Sequence, residues 1–246
     1  MYAYIFDGFL QERKYVHDIA QIENRLVTLG IQGRTEKMTI LKNIQDAARQ
    51  AIKRGAETLV VIGNDETVTK VLPQIIDTTV TLGFIPLGPH QSIAHILGIP
   101  TGVAACDALS RRIVRNIDMG KANDAYFLFS MVAPATVTVE CGKYSITSLD
   151  PNGSMTFTNF PASGVKSVPD DGVLELIVAP GEERKAWGGL RRGNASSVFS
   201  ITSAKLITAD APATVILDGQ VAIKTPITLE VARKKLAVIV GKDRGF

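Results

Sequence analysis

The residues best suited to chemistry lie in the run Leu59-Val60-Val61-Ile62-Gly63-Asn64-Asp65-Glu66-Thr67-Val68-Thr69-Lys70-Val71, where an apolar strand passes through a short polar turn into a helix. In an open α/β sheet ligands collect at the carboxyl ends of the strands, and the free amides and partial positive charge of the following helix attract anions. The same residues also have a purely structural use. Gly63 can end the strand, and Asp65 can be an N-cap that accepts the first free amides of its helix. The local sequence leaves both open. Other reactive types offer less. His90 and His95 are five positions apart, which does not stack them on one helical face as the four-residue spacing of zinc helices does. Cys106 and Cys141 have no ligand-like spacing and are expected to be free thiols without chemistry. Trp187, among Lys185, Arg191 and Arg192, suits contact with an anionic membrane surface or a plain solvent loop. Arg111, Arg112 and Arg115 follow a predicted helix and are most simply cations at its carboxyl end.

The elements that must position the turn follow from periodicity. Tyr2 to Phe6 predicts a strand; after Asp7-Gly8, the spacing of Val16, Ile19, Ile22, Leu26 and Leu29 predicts an amphipathic helix stopped at Gly30. Ile44, Ala47, Ala48, Ala51 and Ile52 predict a second helix ending at Gly55, ahead of the strand Thr58 to Ile62. A third helix through Val68, Val71, Leu72 and Ile75, a strand from Leu82 to Leu87, a short helix from Ile93 to Leu97 and the segment Val103 to Arg112 complete an alternating βα pattern. That alternation predicts a parallel, doubly wound Rossmann-like α/β domain. From about Ala122 the pattern becomes short strands: Tyr126 to Val132, Ala135 to Glu140, Tyr144 to Ser148, Met155 to Phe160, Val173 to Val178, Ser197 to Ile201, Lys205 to Ile207, Thr214 to Leu217, Ile227 to Val231 and Leu236 to Val240. This predicts an antiparallel β-sandwich, with the division near Asn123-Asp124, so residues 1–123 and 124–246 form the two domains.

Composition narrows the function. The 246 residues are 46% hydrophobic and 21% charged, as in an ordinary folded protein rather than a disordered or fibrous one. A formal net charge of +3 is too mild and dispersed to call for nucleic acid, but suits anionic substrates or peripheral membrane contact. No apolar run approaches the ~18 to 20 residues of a spanning helix, and Met1 to Phe6 runs straight into Asp7-Gly8 rather than forming a signal peptide, so the expected location is cytoplasmic.

Read in order, these segments resemble the diacylglycerol kinase and sphingosine kinase superfamily of lipid kinases along nearly the whole chain. Gly63-Asn64-Asp65-Glu66-Thr67 is similar to that family's glycine-glycine-aspartate-glycine-threonine motif. Leu82 to Gly88 and then Ile93-Ala94-His95-Ile96-Leu97-Gly98-Ile99-Pro100 resemble the segment that separates lipid kinases from NAD kinases. Ala104 to Leu109, Arg115 to Gly120, Tyr126 to Leu128, Pro169 to Leu174 and Leu217-Asp218-Gly219-Gln220 resemble further landmarks in the same order. The resemblance implies transfer of the ATP γ-phosphoryl group to the hydroxyl of a diacylglycerol-like lipid in a cleft between domains, with Mg2+ neutralising charge. It implies nucleotide contacts at Gly63, Asn64, Asp65, Glu66, Thr67 and Gly88, metal contacts at Asp65, Glu66 and Asp171, and a general base at Asp218. A homodimer is compatible with the sequence.

Departures from the family pattern concentrate where phosphates would lie. Asn64 and Glu66 replace two motif glycines, whose use at such a turn is to let the backbone approach a phosphate closely. At about 4 Å, Glu66 would repel a phosphate by on the order of 1 kcal/mol in water and ~4 kcal/mol near a protein surface unless Mg2+ bridged them. Phe6-Asp7-Gly8-Phe9 stands where the family has an asparagine-proline, glycine-rich turn. Pro89, Gln91 and Ser92 replace threonine, asparagine and aspartate, Gln220 replaces the glutamate beside the base, and Val168 replaces an acidic partner of Asp171. The sequence thus supports two functions: a lipid kinase, or a catalytically degraded relative that binds lipid or nucleotide without turnover.

Overall fold

The computed structural model describes residues 1–39, 43–161, 164–181 and 196–246. Trp187, Lys185, Arg191 and Arg192 lie outside them. Two compact units are formed, one from Met1–Ile117 with Lys234–Phe246, the other from Asp118–Arg233.

In the first unit β1 (Tyr2–Phe6), α1 (Val16–Thr28), β2 (Arg34–Lys37), α2 (Ile44–Lys53), β3 (Thr58–Gly63), α3 (Asp65–Ile75), β4 (Thr81–Pro86), α4 (Ser92–Ile96) and α5 (Ala105–Arg111) alternate as the periodicity predicts. The strands run parallel in the order β2-β1-β3-β4. Every residue of β3 and β4 is buried, as a parallel sheet covered on both faces requires. Helix α2 packs on α3, and α1 on α5. The chain order reverses at β1, which has β2 on one side and β3 on the other, so the switch point where doubly wound sheets bind ligands lies between the carboxyl ends of β1 and β3. Polar β2, exposed or half-buried at all four positions, is an edge strand that apolar periodicity does not reveal.

The second unit carries β5 (Val114–Ala122, entering from the first unit), β6 (Ala125–Phe127), β7 (Ser130–Pro134), β8 (Thr138–Cys141), β9 (Tyr144–Ile146), β10 (Ser154–Thr158), β11 (Leu174–Ala179), β12 (Ser197–Ile201), β13 (Ser203–Ile207), β14 (Thr214–Leu217), β15 (Val221–Lys224) and the start of β16 (Ile227–Ile239). Six strands form an antiparallel sheet in the order β12-β11-β10-β7-β14-β15, while β16, β13, β8 and β9 pair antiparallel in that order. Phe127, Met131, Phe157, Leu176, Leu206 and Leu229 are core residues of this unit. Two expectations change. The single strand predicted from Tyr126 to Val132 is broken at Leu128-Phe129, because the amides of Leu128, Phe129 and Ser130 bond the Asp218 carboxylate. The two strands predicted between Ile227 and Val240 are one, continuous through a left-handed Lys234 (φ 50°). Its later part belongs to the first unit, with Val238 beside Leu82 of β4 in parallel.

Candidate functional site

The turn from β3 to α3 sits at the switch point, and its groups are already satisfied by the chain itself. Asn64 is the N-cap of α3: its Oδ1 accepts the Thr67 amide at 3.1 Å, and Thr67 Oγ1 accepts the Asn64 amide at 3.0 Å. This reciprocal box consumes two amides that a phosphate would otherwise claim. The single Thr67 hydroxyl proton lies within reach of Asp7 Oδ2 (2.7 Å) and Asn64 Oδ1 (2.8 Å). Asp7 stands at the carboxyl end of β1, where its amide continues the ladder to the Ile62 carbonyl at 3.0 Å. Thr67 and Asp7 therefore tie the ends of β3 and β1 together across the switch-point crevice. A Cβ on Gly63 would lie 2.4 Å from Thr67 Oγ1, so the space this glycine leaves open is taken by Thr67.

Asp65 is the most committed residue of the turn. Its Oδ2 accepts the Ser92 amide at 2.8 Å and its Oδ1 the Ile93 amide at 3.1 Å, while its own amide donates to the His90 carbonyl at 3.0 Å. The N-cap role expected of Asp65 at its own helix belongs to Asn64; Asp65 instead accepts the first two amides of α4. Burial raises the Asp65 carboxyl above the usual range, with the Ile93 and Ser92 hydrogen bonds pulling against it. Glu66 faces outward and pairs with Lys70 one turn on, at 2.7 Å with both side chains largely exposed. Such a pair contributes only ~0.3–0.5 kcal/mol and leaves the carboxylate beside the turn. Gly88, at φ 103°, lets the Phe9 ring lie directly on its backbone, since a Cβ there would be 2.7 Å from the ring. Phe9 packs edge-on against Tyr15 with centroids 5.7 Å apart. Beside these residues a hollow of about 330 Å3 is lined by Asp7, Gly8, Met38, Thr39, Asn43, Ile44, Gln45 and Lys70.

Asp171 and Asp218 belong to the other unit. Asp218 and Gly219 (φ 47° and 68°) lie in the turn between β14 and β15. The Asp218 carboxylate accepts the amides of Leu128 and Phe129 at 2.8 Å and of Ser130 at 2.9 Å, filling three of a carboxylate's roughly four lone-pair sites. Burial raises its pKa above the usual value while these amides pull it down. Asp171 Oδ1 accepts the Val173 amide at 2.9 Å in an exposed turn. Near it is a group that strand alternation hides: Glu175 is 8% exposed, and its Oε2, Ser167 Oγ and Asn159 Oδ1 are buried without hydrogen-bond partners. Burial pushes the Glu175 carboxyl up, with the Asp171 charge reinforcing.

Residues 10–122 match the family model of the diacylglycerol kinase catalytic domain. A diacylglycerol kinase of Bacillus subtilis is 30% identical over 114 residues, which are 45% of this chain and 38% of that protein. An uncharacterized protein of Synechocystis is 34% identical over 86 residues, 35% of this chain and 20% of that one. The chain's matches thus span well under half the length of either relative. A crystal structure of a diacylglycerol kinase from Bacillus anthracis superposes with a TM-score of 0.79, covering 98% of this chain and 97% of that one at 16% identity, a likeness of fold. Residues 10–122 are thus similar in sequence to the diacylglycerol kinase catalytic domain, and the chain as a whole shares the fold of the Bacillus anthracis diacylglycerol kinase.

Diacylglycerol kinase-like kinases generally use ATP and Mg2+. The residues present here do not fit them. At the start of α3 the Thr67 amide is bonded to Asn64 and the Asp65 amide to the His90 carbonyl, the Ser92 and Ile93 amides of α4 are bonded to Asp65, the glycine spaces are filled by Thr67 and Phe9, and the carboxylates nearest the path are Asp65, Glu66 and Asp7. Among the described residues, no three His, Cys, Asp or Glu side chains are grouped to hold a metal. Asp65, Glu66 and Asp171 are committed to α4, to Lys70 and to the Val173 amide respectively. No helix among the described residues is long and apolar enough to cross a membrane.

The cysteines allow a simple check. Cys106 is fully buried and burial pushes its thiol up to about 11. In the native protein at pH 8, iodoacetamide should therefore modify half-buried Cys141 well before Cys106. Equal rates would show that the α1–α5 layer opens readily.

Proposed function

We propose that this protein is a lipid kinase homologue that has kept the superfamily fold and lost phosphoryl transfer, acting as a binding protein for a diacylglycerol-like lipid. The observation that carries this reading is Asp65, whose carboxylate occupies the amides of α4 as an internal anion. The Asn64–Thr67 box and the Thr67–Asp7 bond support it, because an incoming triphosphate would have to break all three sets of bonds. The lipid half rests on the superfamily and on the Bacillus subtilis relative's name.

A kinase is the competing reading, favoured by retention of Asp65, Thr67 and Asp218 at motif positions. Purified protein incubated with Mg2+, labelled ATP and a mixed lipid extract decides between them. No label should enter the organic phase, and calorimetry should give an ATP dissociation constant no tighter than about 1 mM, near −4 kcal/mol. Labelled lipid, or micromolar ATP affinity, overturns the proposal.

A further inference from the structure

The first unit holds a larger hollow, of about 640 Å3, built by the last turn of α4, the connection to α5, the inner face of α5 and the tail after β16. Its apolar side is small and firm: Ala94, Ile99 and Ala108 are buried core residues. The tail is pinned in place, because the Gly241 amide bonds the Leu97 carbonyl at 2.8 Å and the Gly245 amide the Ile96 carbonyl at 3.0 Å. Packing there leaves no slack, since a Cβ on Gly98 would be 2.3 Å from the Arg244 nitrogen.

Three basic side chains from separate segments line this hollow: His95 of α4, Arg111 of α5 and Lys242 of the tail. None has a side-chain hydrogen bond or ion-pair partner among the described residues, nor does the lining Asp243. The remaining lining acid, Asp107, is already neutralised by Arg25 at 2.5 Å. The rim therefore carries an uncommitted guanidinium and ammonium, and an imidazole that donates one N–H in either tautomer, against one free carboxylate. A guanidinium fork matches phosphate geometry in a way an isolated ammonium does not. Here the two cations sit beside an apolar wall with far more room than inorganic phosphate fills.

We propose that this hollow binds a small organic phosphate, a monoester whose phosphate lies against Arg111 and Lys242 and whose apolar body rests on Ala94, Ile99 and Ala108. The site is separate from the β3–α3 turn and independent of whether the protein transfers phosphoryl groups. It is reached from the carboxyl end of α4, whereas Asp65 closes the amino end of the same helix.

The test uses the full chain titrated with phenyl phosphate and with sodium phosphate, followed by methyl resonances of Ala94, Ile99 and Ala108. Phenyl phosphate should saturate and bind more tightly than inorganic phosphate. Each of Arg111→Gln and Lys242→Gln should weaken it about tenfold or more, since a charge-assisted hydrogen bond is lost. Asp243→Asn should strengthen it by removing the opposing carboxylate. All three side chains are exposed, so melting temperatures should not move. Failure to saturate, or affinity indifferent to both cation variants, overturns the site. An ATP signal that disappears in Arg111→Gln belongs to this hollow, while one that survives there counts against the non-kinase reading.

Discussion

Asp218→Asn should lower the stability of the second unit by about 2 kcal/mol and its melting temperature by on the order of 5–10 °C. The carboxylate accepts three consecutive strand-end amides, from Leu128, Phe129 and Ser130, with both oxygens. Asparagine keeps one acceptor oxygen and turns an NH2 group toward at least one of those amides. A buried donor left without an acceptor costs ~1–3 kcal/mol. Part of that is returned because the neutral amide no longer pays for burying charge, the same effect that raises the Asp218 pKa. Backbone strain does not enter, since asparagine tolerates the left-handed conformation Asp218 adopts at φ 47°. Thermal unfolding of the two proteins at pH 7 measures the difference. A shift smaller than about 2 °C would mean that the carboxylate does little for the fold and is free for the proton transfer that the family resemblance implies.

The Asp218 result separates what is legible in a chain from what is not. Runs such as Thr58–Gly63 and Thr81–Pro86 declare a buried parallel sheet because every residue must suit an apolar surround. Edge strand β2 satisfies only one neighbour and is polar, so Arg34–Lys37 carries no such mark. The run from Leu236 to Val240 reads as a strand, but its parallel partner β4 is some 150 residues earlier, and pairing over that separation is not written in local pattern. The site follows the same rule. Asn64 at the start of α3 is a local cap of a kind residue type predicts. Asp65 binding Ser92 and Ile93, Thr67 binding Asp7, and Phe9 covering Gly88 are meetings of loops distant in sequence. Glu175 was hidden for a different reason. Its neighbours Leu174 and Leu176 are core residues, so alternation assigns it to solvent, yet it is only 8% exposed.

Asp65→Ala has opposite consequences under the two readings of this protein, and its effect on ligand binding should be large. In a kinase, Asp65 would touch nucleotide phosphates or metal, and its loss would abolish nucleotide binding. In the geometry found here it is a stand-in anion, and its removal frees the Ser92 and Ile93 amides while deleting a half-buried carboxylate from the phosphate path. Loss of a capping carboxylate should cost ~1–2 kcal/mol, read as a lower melting temperature without ligand. Removing a like charge at close range near a protein surface is worth ~1–4 kcal/mol to an incoming anion, so ATP and inorganic phosphate should each bind about tenfold or more tightly than to the parent. Their addition should then restore the melting temperature as mass action dictates. Carrying Arg111→Gln in both proteins weakens any contribution from the second hollow equally in the two. Turnover should stay absent, because Thr67 remains held by Asp7 and Phe9 still covers Gly88. If the Asp65→Ala protein instead loses what ATP affinity the parent has, Asp65 is a ligand contact and the non-kinase reading fails. If neither anion binds more tightly, the amides of α4 are not an anion site once uncovered, and the ancestral phosphate path did not run past them.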